Sequence, residues 1–200
     1  MSKAGRGPGR LVILSAPSGS GKTTTLEALL KKESNCVRSI SATTRPPRPG
    51  ERSGRDYWFF TPEKFRREAA RGGFLEHARI LGHRYGTPRA PIERAIRAGK
   101  DVILCIDVQG ARQLRHGRLQ TISIFMPAPS TEVLRRRLER RGTETARQIQ
   151  ARLRLARREM REVRRYDYAV VNDRLEEAVR AVQAILRAER YRIRQVVAPR

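Results

Sequence analysis

The run Ala16-Pro17-Ser18-Gly19-Ser20-Gly21-Lys22-Thr23, continued by Thr24, holds the residue types that grip phosphate. Its spacing is G-x-x-x-x-G-K-[ST], with Ala16 in the first glycine position. Gly19 and Gly21 permit the backbone curl that turns successive N–H groups inward onto phosphate oxygens. A helix starting at the end of the loop adds its positive pole. Lys22 brings a cation to the β- and γ-phosphates, and the Thr23 hydroxyl is a ligand for Mg²⁺. Residues 16–24 therefore point to ATP or GTP binding, and the loop by itself does not name the acceptor.

The elements that must hold this loop are legible around it. Leu11–Ser15 is a short apolar run ending in the loop, as a buried strand does, and Thr24–Lys32 has helical character. Val102–Ile106, Thr121–Met126 and Ala169–Val171 read as further strands. Pro91–Ala98, Gly110–Arg115, Ser130–Arg141 (stopped by Gly142), Thr143–Arg165 and Leu175–Arg194 read as helices. In Thr143–Arg165 the apolar Ile149, Leu153, Ala156, Met160 and Val163 fall near one face. Strand–helix alternation predicts an α/β fold with a parallel sheet. Residues 38–90 break the alternation and read as an insert. The prolines at 46, 47 and 49 forbid a helix there, and Thr61-Pro62 starts a helix that Gly72-Gly73 stops. Residues 1–9 read as a loose tail.

The chain has 200 residues, enough for one sizeable core with a small insert. Its formal charge is +24, and of 44 basic residues only six are Lys. Such a surplus draws anionic partners, phosphates, nucleic acid or membrane headgroups, without choosing among them. Cys36 and Cys105 make no disulfide framework, and no apolar run is long enough for a membrane span or a signal peptide, so the expected place is the cytoplasm. His77, His83 and His116 show no metal-ligand spacing.

Over Ser41-Ala42-Thr43-Thr44-Arg45-Pro46-Pro47-Arg48-Pro49-Gly50-Glu51 and Gly54-Arg55-Asp56-Tyr57 the chain resembles the guanylate kinases. The pattern continues at Phe74–Ala78, Tyr85-Gly86-Thr87, Ile106–Gly110, Arg137–Thr145 and Val170–Asp173, so that with the phosphate loop it spans nearly the whole chain. The resemblance implies a three-layer P-loop kinase core with a parallel sheet, a small mixed α/β nucleotide-binding insert and a helical lid. The expected divisions are 1–37, 96–130 and 166–200 for the core, 38–95 for the insert and 131–165 for the lid. It also implies Mg²⁺-dependent, reversible phosphoryl transfer from ATP to GMP or dGMP, a step of purine nucleotide metabolism and GMP recycling, by a monomer or homodimer. By position, Arg45, Arg48, Tyr57 and Tyr85 would bind the GMP phosphate, and Ser41, Glu76, Thr87 and Asp107 would read the guanine. Guanidinium forks and phenols suit a phosphate monoester, and carboxylates accept from the N1 and N2 donors that guanine has and adenine lacks.

Thr131–Arg165 carries 13 Arg against five Glu. Most are a solvated surface. Lys22, Arg137, Arg141 and Arg152 match catalytic positions of the family, and Arg137 and Arg141, four apart, share a helix face able to meet a triphosphate. One position departs from the pattern. Cys105 stands where the family usually has an acidic residue, two before Asp107, which predicts weakened metal dependence.

Three other readings compete. A guanylate-kinase-like binding module would lack the loop or lid cations, which are present here. A P-loop protein acting on nucleic acid would show a basic strip with interleaved aromatics; none is found, so only weak, salt-sensitive adhesion is expected. A kinase for another monophosphate would lack the Glu76, Asp107 and Ser41 set.

Overall fold

The computed structural model describes residues 8–17, 19–115, 121–142 and 145–192. The tail at 1–7, Ser18, His116, the 143–144 start of the long helix and the chain beyond 192 lie outside the described residues.

β1 (Leu11–Ser15) is buried from end to end, so its two faces each need a cover. Val12 and Leu14 pack with Leu26 and Leu29 of α1 (Lys22–Lys32), and Leu11 and Ile13 turn to the opposite face. After β2 (Cys36–Arg38) the chain leaves the core for β3 (Ala42–Thr43), β4 (Trp58–Phe59), α2 (Pro62–Ala70), β5 (Phe74–Ile80) and β6 (His83–Pro88). It returns through α3 (Arg89–Arg97), β7 (Asp101–Ile106), α4 (Val108–Arg115) and β8 (Thr121–Phe125). α5 (Thr131–Arg141) and α6 (Ala146–Glu159) follow, then a 3-10 segment (Met160–Arg165), β9 (Tyr168–Ala169) and α7 (Leu175–Glu189).

The main sheet has the order β2-β7-β1-β8-β9, and all its pairings are parallel. Val179, Val182 and Leu186 of α7 join α1 on one face, and Ile92 of α3 with Ala111 and Leu114 of α4 cover the other. Helices on both faces are what make β1 and β7 continuous apolar runs. The connections from β1 and from β7 leave to opposite faces, and a crevice opens between them at the carboxyl ends of the strands.

The second sheet, β4-β3-β6-β5, is mixed and stands on its own apolar cluster of Ala42, Phe65 and Phe74. Phe65 of α2 stacks on Phe74 at 4.6 Å. The α2 start is as the sequence predicts: Thr61 accepts from the Lys64 N–H, with Pro62 at the first position. The β5–β6 hairpin is not signalled in the sequence. Its turn places both Leu81 (φ 48°) and Gly82 (φ 90°) in the left-handed region, a geometry usually marked by Asn-Gly.

α5 is capped by Ser130 and ended by Gly142 at φ 66°. α6 opens with a capping box of Thr145 and Gln148. The two pack through Leu134, Leu138, Ile149, Leu153 and Ala156. The expected single helix to Arg165 is corrected: it tightens to 3-10 after Glu159, which rotates Met160 out to 41% exposure. The tightening delivers the Tyr166 ring onto Phe125 at 5.0 Å. Several boundaries move slightly. α1 begins at Lys22 rather than Thr24, α3 at Arg89 rather than Pro91, and β7 at Asp101. β8 ends at Phe125, β9 is Tyr168–Ala169, and α7 ends at Glu189. α4 begins at Val108 rather than Gly110 because Asp107 caps it, its carboxylate accepting the Gly110 N–H at 2.9 Å.

Candidate active site

Gly19 and Gly21 have φ of 90° and 94°, as a phosphate-cradling loop requires. Lys22 starts α1 and its Nζ donates to the Ala16 carbonyl at 2.6 Å. Burial lowers its pKa, opposed by the nearby Cys105, Glu159 and Asp107. The loop is braced from behind. Asn172 Nδ2 donates to the Ser20 carbonyl at 2.6 Å, and Arg137 donates to that carbonyl at 3.1 Å and to the Asn172 carbonyl at 3.0 Å. A Cβ on Gly21 would lie 2.4 Å from Asn172 Nδ2. Arg137 is thus tied to the loop, and Asn172, matched in the family pattern but given no role, is part of its support.

The strands of the second sheet bring a carboxylate to the same crevice. Glu76 on β5 is 5% exposed, and Thr87 Oγ1 donates to its Oε1 at 2.5 Å. Its other oxygen lies against Gly110, where a Cβ would come within 2.2 Å of it. Asp107, beside it at the positive end of α4, keeps Oδ2 without a hydrogen bond among the described residues. Burial first, then the Asp107 charge, lifts the Glu76 carboxyl to about 7 against the Thr87 hydrogen bond. Burial also raises Asp107, against the Gly110 N–H and Lys22. Thr87 itself is fully enclosed, standing behind Glu76.

On the wall opposite, Arg45 Nη2 forms a bidentate pair with Glu51 at 2.9 Å to each oxygen, and Glu51 also accepts the Arg48 N–H at 2.7 Å. The Arg45 guanidinium lies 5.5 Å from the Tyr57 ring centroid, and Tyr57 meets Tyr85 edge-on at 6.0 Å. These groups line one cleft of about 580 Å³ together with Ser41, Ala16, Pro17, Gly19–Thr24, Glu76, Asp107, Arg137 and Arg152, within the usual range of ligand sites. Of the residues singled out in the sequence, Thr87 stands behind this lining, Ser18 is outside the described residues, and nothing is described of the Arg141 side chain. Sequence reasoning missed Arg38, Arg140 and Glu159, which also line it; among 44 basic residues two more arginines carry no signal.

A guanylate kinase family model matches residues 8–189. The chain belongs to the guanylate kinase family. It is 48% identical over 191 residues to a guanylate kinase of Nitrosomonas europaea, covering 95% of each chain. It is 45% identical over 185 residues to one of Clostridium perfringens, covering 92% of this chain and 86% of the relative. Among solved structures it matches guanylate kinase from Anaplasma phagocytophilum with TM-score 0.79 at 36% identity, over 94% of this chain and 89% of that one.

The family's magnesium finds hard oxygen donors here. Thr23 and Asp107 line the same cleft, and Asp107 Oδ2 has no hydrogen bond among the described residues. Glu159, at the C-terminal end of α6, is 7% exposed and among the described residues also has an oxygen without a hydrogen bond; burial raises it to about 7, opposed by Lys22. Among the described residues no three candidate ligands cluster. This donor set suits an ion held mainly through phosphate oxygens and water.

Proposed function

We infer that the chain catalyses reversible transfer of the γ-phosphoryl group of ATP to GMP, giving ADP and GDP. The observation that carries this reading is the pair Glu76 and Asp107, set side by side in the same cleft as the phosphate loop. Two carboxylates match the N1 and N2 donors of guanine, and adenine would leave them unpaired at about 1–3 kcal/mol each. Ser41 and, through Glu76, Thr87 complete the guanine end. Arg45, Arg48, Tyr57 and Tyr85 hold the acceptor phosphate, and residues 16–24 hold ATP.

An oxygen of the GMP phosphate attacks the γ-phosphorus while the bond to the β-phosphate oxygen breaks, and ADP leaves. The attacking oxygen is already anionic, so no protein base is needed. Lys22 stays with the β- and γ-phosphates. Arg137, Arg141 and Arg152 surround the moving charge from the helical pair 131–165, whose closure also keeps water from competing as acceptor. Magnesium, when bound through Thr23 and the phosphates, neutralises charge on the β- and γ-oxygens. The deoxy acceptor dGMP shares every contact assigned here. Among the described residues no helix is long and apolar enough to cross a membrane, and the two free thiols, Cys36 and Cys105, favour a reducing compartment.

The test is a coupled assay with ATP and a panel of monophosphates. GMP is turned over best, then dGMP, with AMP, CMP and UMP at least tenfold poorer. Equal rates with AMP and GMP would remove the role of the carboxylate pair.

A further inference from the structure

The acceptor-phosphate wall sets two arginines, Arg45 and Arg48, against the one carboxylate of Glu51. A nucleoside monophosphate carries close to two negative charges at pH 7, and a pocket that holds it needs cations whose charge is not already spent. Arg45 is engaged by both oxygens of Glu51, which cancels much of its charge. Arg38, at the end of β2, lines the same cleft and is differently placed. It forms no ion pair among the described residues. Its one hydrogen bond there is long, Nη2 to the Asp56 carbonyl at 3.3 Å, and its buried Nε has none. The Asp56 carboxylate is occupied by the Arg52 N–H and the Arg55 side chain.

Its neighbours come from both halves of the cleft. Tyr57, on the acceptor-phosphate wall, feels its charge, and so does Cys105, which also feels that of Lys22 of the phosphate loop; all four line the one cleft. Arg38 therefore shares the cleft with, and is within electrostatic reach of, groups next to both the acceptor-phosphate wall and the phosphate loop. Cys105 is half-buried, and a thiol there offers Arg38 no carboxylate to pair with. A carboxylate at that position would claim Arg38 as its partner.

We propose that Arg38 is a further arginine binding the phosphate of GMP, on the side that faces ATP, and that Cys105, as a thiol, leaves it available. The proposal rests on the reading of the cleft given above. A charge-assisted contact of this kind strengthens GMP binding about ten- to a hundredfold.

The experiment measures binding of GMP and of guanosine by calorimetry, without ATP or metal, and the KM for each substrate. Arg38→Met weakens GMP by at least tenfold and leaves guanosine and the ATP KM unchanged, and Arg38→Lys recovers part of the loss. Cys105→Asp also weakens GMP, and combined with Arg38→Met it costs less than the two single losses together. If Arg38→Met binds GMP as tightly as wild type, or loses guanosine equally, Arg38 does not touch the phosphate. Additive losses remove the role given to Cys105. Wild-type protein that turns over no GMP would instead overturn the reading of the whole site.

Discussion

Replacing Glu76 by Gln separates what this side chain does for the fold from what it does for guanine. Its carboxyl is lifted from an ordinary 4.5 to about 7, chiefly by burial. The folded protein therefore holds this proton more tightly than the unfolded chain, and stability falls as pH rises from about 4.5 through about 7. Above that window the ionised group destabilises the fold by about 3 kcal/mol, and below it by nothing. Gln does not titrate. Its Oε1 still accepts from Thr87, and its NH₂ faces Asp107, whose Oδ2 has no hydrogen bond among the described residues. The expected gain at pH 8 approaches 3 kcal/mol, equivalent to a melting temperature higher by about 5–10 °C for a chain of this size. The gain vanishes near pH 4.5. The same change turns an amide donor toward guanine's own donors, and leaving them unpaired weakens GMP about ten- to a hundredfold. Urea titrations at pH 5 and pH 8, with GMP affinity at pH 8, give the answer. An equal stability change at both pH values would show that Glu76 is not a buried, reluctantly ionised carboxylate. Unchanged GMP affinity would remove it from the guanine site.

Two substitutions test the neighbouring parts. Lys22→Ala lowers kcat at least about a hundredfold with the melting temperature unchanged or higher, since the ammonium is itself desolvated by burial; full turnover would contradict its role. Gly110→Ala places a Cβ 2.2 Å from Glu76 Oε2, so the carboxylate must shift; the KM for GMP rises about tenfold or more while the ATP KM holds, and a normal GMP KM would mean Glu76 can move without consequence.

The core was legible because its physics is local. Leu11–Ser15 and Val102–Ile106 are unbroken apolar runs, and helix limits were marked by Thr61-Pro62, Ser130 and Gly142. The β5 strand was hidden by function. Phe74, Glu76 and Ala78 are the buried positions of an alternating strand, and the charge in the middle breaks the apolar pattern by which such a strand is recognised. Asp107 hid a helix start in the same way, since a carboxylate assigned to the ligand was not also read as the cap of α4. The Met160 turn was hidden because Ile149, Leu153 and Ala156 already satisfy a helical period, and nothing local says where packing ends it. The roles of Asn172 and Arg38 depend on contacts between segments far apart in sequence, which periodicity does not carry.

The shifts in the cleft share one direction. Lys22 is pushed down, and Glu76, Asp107 and Glu159 are pushed up, each chiefly by burial and each toward its neutral form. An empty cleft thus keeps charges that its own fold does not satisfy, a cost in stability that a structural role would not explain. Filling it reverses the account group by group. Phosphate oxygens give Lys22 its counter-charge, and guanine N–H groups supply the donors that Glu76 and Asp107 lack. Glu159 is left as the carboxylate that neither nucleotide satisfies. It sits at the negative end of α6, where a helix disfavours an anion, and Lys22 offsets only part of its burial; a metal ion, or a water ordered by one, would offer it further relief. Substrate binding therefore raises the pKa of Lys22 and lowers those of the carboxylates. GMP binding releases protons near pH 7, and calorimetry in two buffers of different ionisation heat reads their number directly. Equal heats in both buffers would mean that GMP binding moves no net protons and that the carboxyls facing guanine keep the protonation state they have in the empty cleft.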